Sequence, residues 1–313
     1  MTTTELDNTA VATHLGKVSK YKSEYDNTLL VGEPRQNNRK YLAIADDNLP
    51  FVGYDIWNGW EISCLTNNGL PASGIARIVY PANSPNIVES KSMKLYWNSY
   101  NMTKMGPFER EAYWNMQKSA VQDRARIIKV PEEQVKVSVY NGNRECNNFY
   151  SEDNYRELLR RDQYRTLEDH VIFDKDITVY NETPSLLELD TFLNGKEERC
   201  FYHSSLLRSN CRVTFQPDHG DIFIYWKGTT HVSPESLLAY IVSFRNECHF
   251  HEEVIECVYK RLFDILNPQE LKVEGFYVRR GGWDINAIRA SHEYLIPTDQ
   301  RIAETSWLKT LRQ

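Results

Sequence analysis

No hydrophobic run in this sequence approaches the roughly twenty residues that an apolar helix needs to cross a bilayer. The opening residues, Met1 to Asp7, are polar and acidic, with no basic stretch leading into an apolar one, so no secretory leader is expected. Cysteine is sparse. The six at 64, 146, 200, 211, 248 and 257 are scattered through 313 residues and do not form the dense framework of a small secreted domain. A reduced, cytoplasmic protein is the expectation. There is no excess of positive charge either: 37 Lys and Arg stand against 43 Asp and Glu, a formal net charge of −6. That balance gives no overall field for nucleic acid or an anionic membrane, so neither is expected as a partner, and a phosphate-bearing ligand would need a local basic patch. Also missing is the Gly-x-Gly-x-x-Gly loop of a dinucleotide-binding Rossmann unit, so any nicotinamide cofactor must be held another way.

What is present is the composition of a folded chain, 41% hydrophobic and 26% charged, with length enough for two ordinary domains. Nineteen tyrosines and seven tryptophans could line a pocket that stacks a flat ring. The first fifty residues are polar and irregular, with a short helix possible over 10–18. Pro34 and Pro50 bracket a segment expected to wrap the surface. Residues 53–65 and 72–80 read as strands joined by the Asn67-Asn68-Gly69 turn. Residues 89–102 and 108–127 read as helices, the second with Phe108, Ala112, Met116, Ala120 and Val121 on one stripe. Residues 135–140 alternate as a strand. A charged connection follows, with a helix at 152–161 and a short strand at 176–180. The second half repeats the plan: strands at 200–207 and 221–226, a helix opened by Ser233-Pro234-Glu235-Ser236, a second helix over 250–266, then a strand at 271–279 with Gly275 as a possible bulge. Glu-Ser opens the first helix of both pairs, at Glu89-Ser90 and Glu235-Ser236, which together with the matching order suggests duplication.

Four strings carry residues with chemistry. In Ser-Leu-Leu-Arg-Ser-Asn-Cys, residues 205–211, the cysteine closes an apolar-then-polar run, and Asp218 follows seven residues later behind Pro217. Asp218-His219-Gly220-Asp221 reads as a turn that would bring the carboxyl back toward the sulfur of Cys211. A thiol beside a carboxyl offers a nucleophile and a proton donor, although a buried core cysteine and a turn aspartate fit the same letters. Glu89-Ser90-Lys91-Ser92-Met93-Lys94 opens a helix, where free backbone donors and two lysines could hold a phosphate, or where an amphipathic helix simply exposes its lysines. Cys248-His249-Phe250-His251-Glu252 fits no zinc spacing, and His251 also falls on the apolar stripe with Ile255, Val258 and Leu262. In Arg279-Arg280-Gly281-Gly282-Trp283-Asp284-Ile285-Asn286 the glycines permit close backbone approach to a phosphate, and a basic turn after a strand reads equally well.

Taken together, these strings resemble the motifs of the QueF-type NADPH-dependent 7-cyano-7-deazaguanine reductases, and the resemblance runs from about residue 26 to 289. Arg212, Phe215 and His219 occupy positions that vary within the cysteine motif, and Ala287 stands where the family would carry proline. The resemblance implies an α+β fold of tandem tunnelling-fold (T-fold) modules, antiparallel sheets each backed by a pair of helices. An extension over 1–50, a first module over 51–145, a connection over 146–196 and a second module over 197–313 would divide the chain. It further implies Cys211, Asp218 and His251 as catalytic residues, with Val88, Glu89, Ser90, His251 and Glu252 at the substrate. The carboxylate of Glu252 would accept two N–H bonds from the pyrimidine edge of the deazaguanine. Ser90, Lys91, Arg280 and Gly281 would meet NADPH, consumed as a cosubstrate, with no metal. A homodimer follows by analogy with T-folds that close barrels by association. Two other readings are open: another T-fold purine or pterin enzyme of the cyclohydrolase or synthase kind, which would need metal ligands, and a non-catalytic T-fold base-binding module.

Overall fold

A computed structural model of the chain describes residues 21–141, 163–171, 176–212, 215–298 and 301. The helices expected over 10–18 and 152–161, and Cys146, lie outside the described residues.

The first half opens with β1 (Gly32–Pro34) and α1 (Gln36–Tyr41), followed by the long hairpin of β2 (Val52–Thr66) and β3 (Pro71–Pro81). Gly69, at φ 87, makes its turn, the left-handed geometry that favours glycine. Then come β4 (Asn86–Val88), α2 (Ser90–Asn98), β5 (Lys104–Gly106), α3 (Glu109–Ile128) and β6 (Lys136–Tyr140). A short β7 (Arg165–Thr166) and the single turn α4 (Leu167–His170) lead to the second half. That half holds β8 (Glu198–Asn210), β9 (Pro217–Gly228), α5 (Pro234–Ser243), α6 (His251–Leu266), β10 (Glu270–Tyr277) and β11 (Trp283–Ala290). Ser233 caps α5 as its sequence predicts, its side chain accepting from Ser236 N.

Nine of these strands, drawn from both halves, form one sheet in the order β6-β3-β2-β11-β10-β9-β8-β7, with β5 alongside β2, while β1 and β4 pair separately. Its seam is the antiparallel pairing of β11 with β2, from Trp283↔Gly59 to Ala290↔Val52. The sequence reading has no strand at 283–290. All eight residues of β11 are buried, and the alternation of Asp284 and Asn286 with Trp283, Ile285 and Ala287 stops at Ile288, so the period-two signal is short. Two cores flank the seam. Trp57, Met93, Trp97, Met116 and Ile128 dominate one, and Trp226, Leu237, Ile241, Val258 and Leu262 the other. The halves exchange residues across them: Trp283 and Ile285 enter the first core, and Leu42, Ile44 and Phe51 enter the second. On α3, Ala112, Met116 and Ala120 face the core as expected, but Phe108 sits before the first turn and is exposed.

Several local expectations are corrected. Asp218 to Asp221 form no turn but the start of β9, paired with β8 from Asn210↔Pro217 and Ser209↔Asp218 onward. Proline is tolerated at a strand's first residue because its missing N–H costs no interior ladder bond. The chain turns back earlier, between Cys211 and Gln216, where Cys211 N donates to Gln216 O (2.9 Å) and Phe215 takes φ 55. Gly275 is not a bulge, since its pairing runs unbroken on both sides. It is glycine because a Cβ there would lie 2.5 Å from Ile255 Cδ1, so its bareness lets α6 sit close on β10. Residues 176–180 form no strand; the outer edge of β8 is taken by β7 instead. The segment between Pro34 and Pro50 does more than wrap the surface, for Arg35 and Arg39 are both buried.

Candidate active site

Every residue that the sequence singles out for chemistry lines one cavity of about 260 Å³. Val88, Glu89, Ser90 and Lys91 come from the end of β4 and the start of α2. Cys211 comes from the β8–β9 reversal, Asp218 from β9, His251 and Glu252 from the first turn of α6, and Arg280 and Gly281 from the β10–β11 turn. Both halves of a single chain therefore supply it. Lys94, read in the sequence as one of two lysines able to hold a phosphate, also lines it, and the sequence reading gave no role to His249, Phe250, Trp283 and Ile285, which complete the lining. Lys94 lies one turn beyond Ser90, and Trp283 directly follows the paired glycines, so adjacency was the available signal.

The hairpin explains the placement of the acid and the thiol. Because Asp218 pairs with Ser209, it sits two residues along the ladder from Cys211, on a strand buried by the sheet. Asp218 Oδ1 accepts from Arg280 Nη1, and Oδ2 lies 3.4 Å from His251 Nε2. Burial alone would raise this carboxyl. The hydrogen bonds and charges of His251 and Arg280 outweigh it and hold the group below the ordinary carboxylate range. The imidazole of His251 lies flat on Tyr277, ring centroids 3.7 Å apart and 2° from parallel. Its Nδ1 is buried without a partner among the described residues.

Glu252 is 2% exposed, and its Oε1 also has no hydrogen-bond partner among the described residues. Burial, then the nearby Asp55 charge, push its carboxyl well above the usual range, although Arg35 and Arg289 pull the other way. An unpaired buried carboxyl oxygen costs free energy unless a ligand completes it. An N–H donor on a ligand would complete it.

Glu89 behaves differently from its sequence reading. Its side chain caps α2, with Oε1 accepting from Lys91 N (2.9 Å) and Oε2 from Ser92 N (2.6 Å). Two of the backbone donors expected to hold a phosphate are thus already occupied. Burial raises the Glu89 carboxyl despite those two bonds. The cationic rim instead consists of side chains, Lys91, Lys94 and Arg280. Gly281 and Gly282 sit at φ 58 and 83 in a two-residue turn closed by Arg280 N to Trp283 O (2.8 Å), a geometry that requires positive φ at both positions. A Cβ on Gly281 would come within 2.8 Å of Lys94 Cδ and Nζ, so the glycine also admits the lysine. Three cations at a cavity mouth suit the phosphates of a nucleotide cofactor.

His249, beside the thiol segment, is held between Glu247 (3.4 Å) and Glu253 (3.4 Å). Burial would lower it, but the two carboxylates raise it to about 9. Elsewhere, burial pushes Cys64 and Cys200 up to about 11, as expected of inert core thiols. Among the described residues no group of three or more His, Cys, Asp and Glu side chains could hold a metal ion. A second hollow of about 480 Å³ lies over Phe201, Phe223 and Tyr225 and contains none of these residues.

Two family models match the chain: "Nitrile reductase, 7-cyano-7-deazaguanine-reductase N-term" over residues 21–138 and "QueF-like protein" over 217–294. The NADPH-dependent 7-cyano-7-deazaguanine reductase of Rickettsia felis is 38% identical over 92% of this chain and 96% of its own length. The proteins of that name from Colwellia psychrerythraea and Dechloromonas aromatica are each 35% identical over 96% of this chain, covering 95% and 98% of their own lengths. A solved structure, the archaeosine synthase QueF-Like in the apo form, aligns with 32% of this chain and 96% of its own at TM-score 0.27 and 16% identity, too slight a likeness to carry an argument.

Proposed function

The chain belongs to the family of NADPH-dependent 7-cyano-7-deazaguanine reductases, and we propose that it carries out that reaction, reducing the nitrile of 7-cyano-7-deazaguanine to an aminomethyl group in queuosine biosynthesis. The observation that supports this most is the convergence, in one cavity, of a thiol, a buried acid, an unpaired carboxyl oxygen and a rim of cations.

Each residue then has a task. Glu252, aided by Glu89 and Val88, anchors the pyrimidine edge of the base and aims the nitrile at Cys211. The sulfur of Cys211 adds to the electrophilic nitrile carbon and forms a covalent thioimide. Asp218, with His251 at its other oxygen, moves the proton to the nitrogen. Lys91, Arg280, Ser90 and Gly281 hold the phosphate-bearing cofactor, which when bound supplies one hydride to each of two reductive steps. Trp283, Ile285 and Phe250 wall the cavity with apolar surface, which keeps water from an imine that would hydrolyse. The working form is read as a cytoplasmic homodimer without nucleic-acid contacts. Among the described residues no helix is long and apolar enough to cross a membrane.

Intact-protein mass spectrometry tests the chemistry. Mixing the protein with the nitrile base and no NADPH should add the full mass of the base, and Cys211→Ala should show no addition. With NADPH, loss of its absorbance should reach two equivalents per nitrile. An unmodified wild-type mass together with no NADPH consumption would remove the proposal.

A further inference from the structure

The two stages of nitrile reduction make opposite demands on one acid. When the thiol adds to the nitrile, an S–C bond forms, one C–N π bond breaks, and the proton that left sulfur ends on nitrogen. No outside proton is consumed. The group that relays it must begin able to accept, as a carboxylate does. In each later step a hydride reaches carbon and one further proton must reach nitrogen, balanced by oxidation of NADPH to NADP⁺. Between those steps the C–S bond breaks, its electron pair and a proton return to sulfur, and the C=N bond of the imine forms. The same group must now begin with a proton to give.

We propose that Arg280 switches Asp218 between these states: it holds the carboxylate as an acceptor while the thiol adds, then moves to the phosphate of the arriving cofactor and leaves Asp218 to act as a donor. This rests on the reductase reading above. Besides Arg280, the titratable groups that share the cavity with Asp218 are His251 and Glu252 from α6, His249 before it, Cys211 from the reversal, and Glu89, Lys91 and Lys94 at α2, and Tyr277 of β10 lies close enough to interact with its charge. His251 is buried against Tyr277 and cannot leave without breaking that stack. Arg280 is placed otherwise. It bonds Asp218 Oδ1, yet its side chain is 41% exposed, and the turn that carries it packs against Lys94 at the cationic rim. A phosphate dianion offers a guanidinium more charge and a bidentate seat, so it competes well for Arg280. Once Arg280 has gone, burial is opposed chiefly by His251, and burial favours the protonated carboxyl.

Two measurements test the switch. First, the nitrile adduct is formed without cofactor and titrated with NADP⁺, which gives no hydride, by calorimetry in buffers of different ionisation enthalpy. Wild type should take up close to one proton per site near neutral pH. Arg280→Gln at saturating NADP⁺ should take up none, and Arg280→Lys should restore part. Second, the rate of adduct formation without cofactor is followed against pH. In Arg280→Gln the acid limb should move to higher pH, because Asp218 has lost the partner that keeps it ionised. Adduct formation with no proton uptake in wild type, or an acid limb that Arg280→Gln leaves in place, overturns the switch while the reductase reading stands. Failure of the wild-type adduct itself overturns both.

Discussion

On the proposed reading, Glu252 is a side chain that is costly in the free protein and useful in the complex. Its Oε1 is buried and unpaired, and burial with the Asp55 charge raises its carboxyl. Its sign on stability follows: the contribution is full below the ordinary carboxylate range and is lost as pH rises through the raised value. Base binding should show the reverse trend. A carboxylate accepting two N–H groups must first lose its proton, so affinity should fall as pH drops below that raised value. In Glu252→Gln one acceptor becomes a donor that clashes with the base. We expect binding weaker by about 1.5–3 kcal/mol, the range for a hydrogen bond to a charged group, and the pH dependence flattened. Calorimetric titration of the base into Cys211→Ala, with and without the second substitution, isolates this from the covalent step. Equal affinity in the two proteins would deny Glu252 its role as anchor.

At the scale of elements, the site depends on how closely α6 lies on β10 and on how two helix starts are capped. Gly275 sets the first distance. Gly275→Ala would place a Cβ 2.5 Å from Ile255 Cδ1, and overpacking of this kind costs about 1–3 kcal/mol. The denaturation midpoint should fall accordingly, and trimming Ile255→Val in the same chain should recover part of the loss. If Gly275→Ala is neutral by itself, the close approach is not a constraint. Ser233→Ala serves as a contrast. It removes the cap of α5, a loss of about 1 kcal/mol, from a helix that contributes nothing to the cavity lining. Stability should drop while adduct formation at saturating base is unchanged, as stopped-flow mass analysis would show.

Across the whole molecule, the two halves are joined by the β2–β11 pairing and by a buried ion network behind the site. Glu256, one turn beyond Glu252 on α6, accepts from Arg39 Nη2 (2.9 Å) and Arg289 Nη2 (2.9 Å), with Arg35 Nη1 at 3.5 Å. Arg289 and Arg35 also bind Asp55 on β2. The network thus ties the N-terminal segment and first hairpin to the helix that presents His251 and Glu252. Burial would raise Glu256, but the arginines lower it to about 2. Its contribution is therefore present above the ordinary carboxylate pKa and is lost as pH falls toward about 2. Glu256→Gln leaves buried guanidinium groups uncompensated and should cost about 3–5 kcal/mol. Thermal melts across pH 2–7 should show this loss at neutral pH, narrowing on acidification. A constant difference between the two proteins would place the acid sensitivity elsewhere.

The sequence by itself marked out the residues that come to line one cavity, because they lie in short strings: Glu89 to Lys91, Cys211 with Asp218, His251-Glu252, and Arg280-Gly281. It also determined the repeated strand-strand-helix-helix order, since turn residues and the apolar stripe of α3 are local signals. Only the tertiary structure decided that β11 joins the halves, for its partner strand β2 lies more than two hundred positions away and no local signal names it. Only it decided that Arg35 and Arg39 are interior, because charge is ordinarily read as surface until its partners, Asp55 on another strand and Glu256 more than two hundred positions away, are brought beside it. And only it decided that Asp218 is held by Arg280, a contact between β9 and the β10–β11 turn that no local spacing encodes.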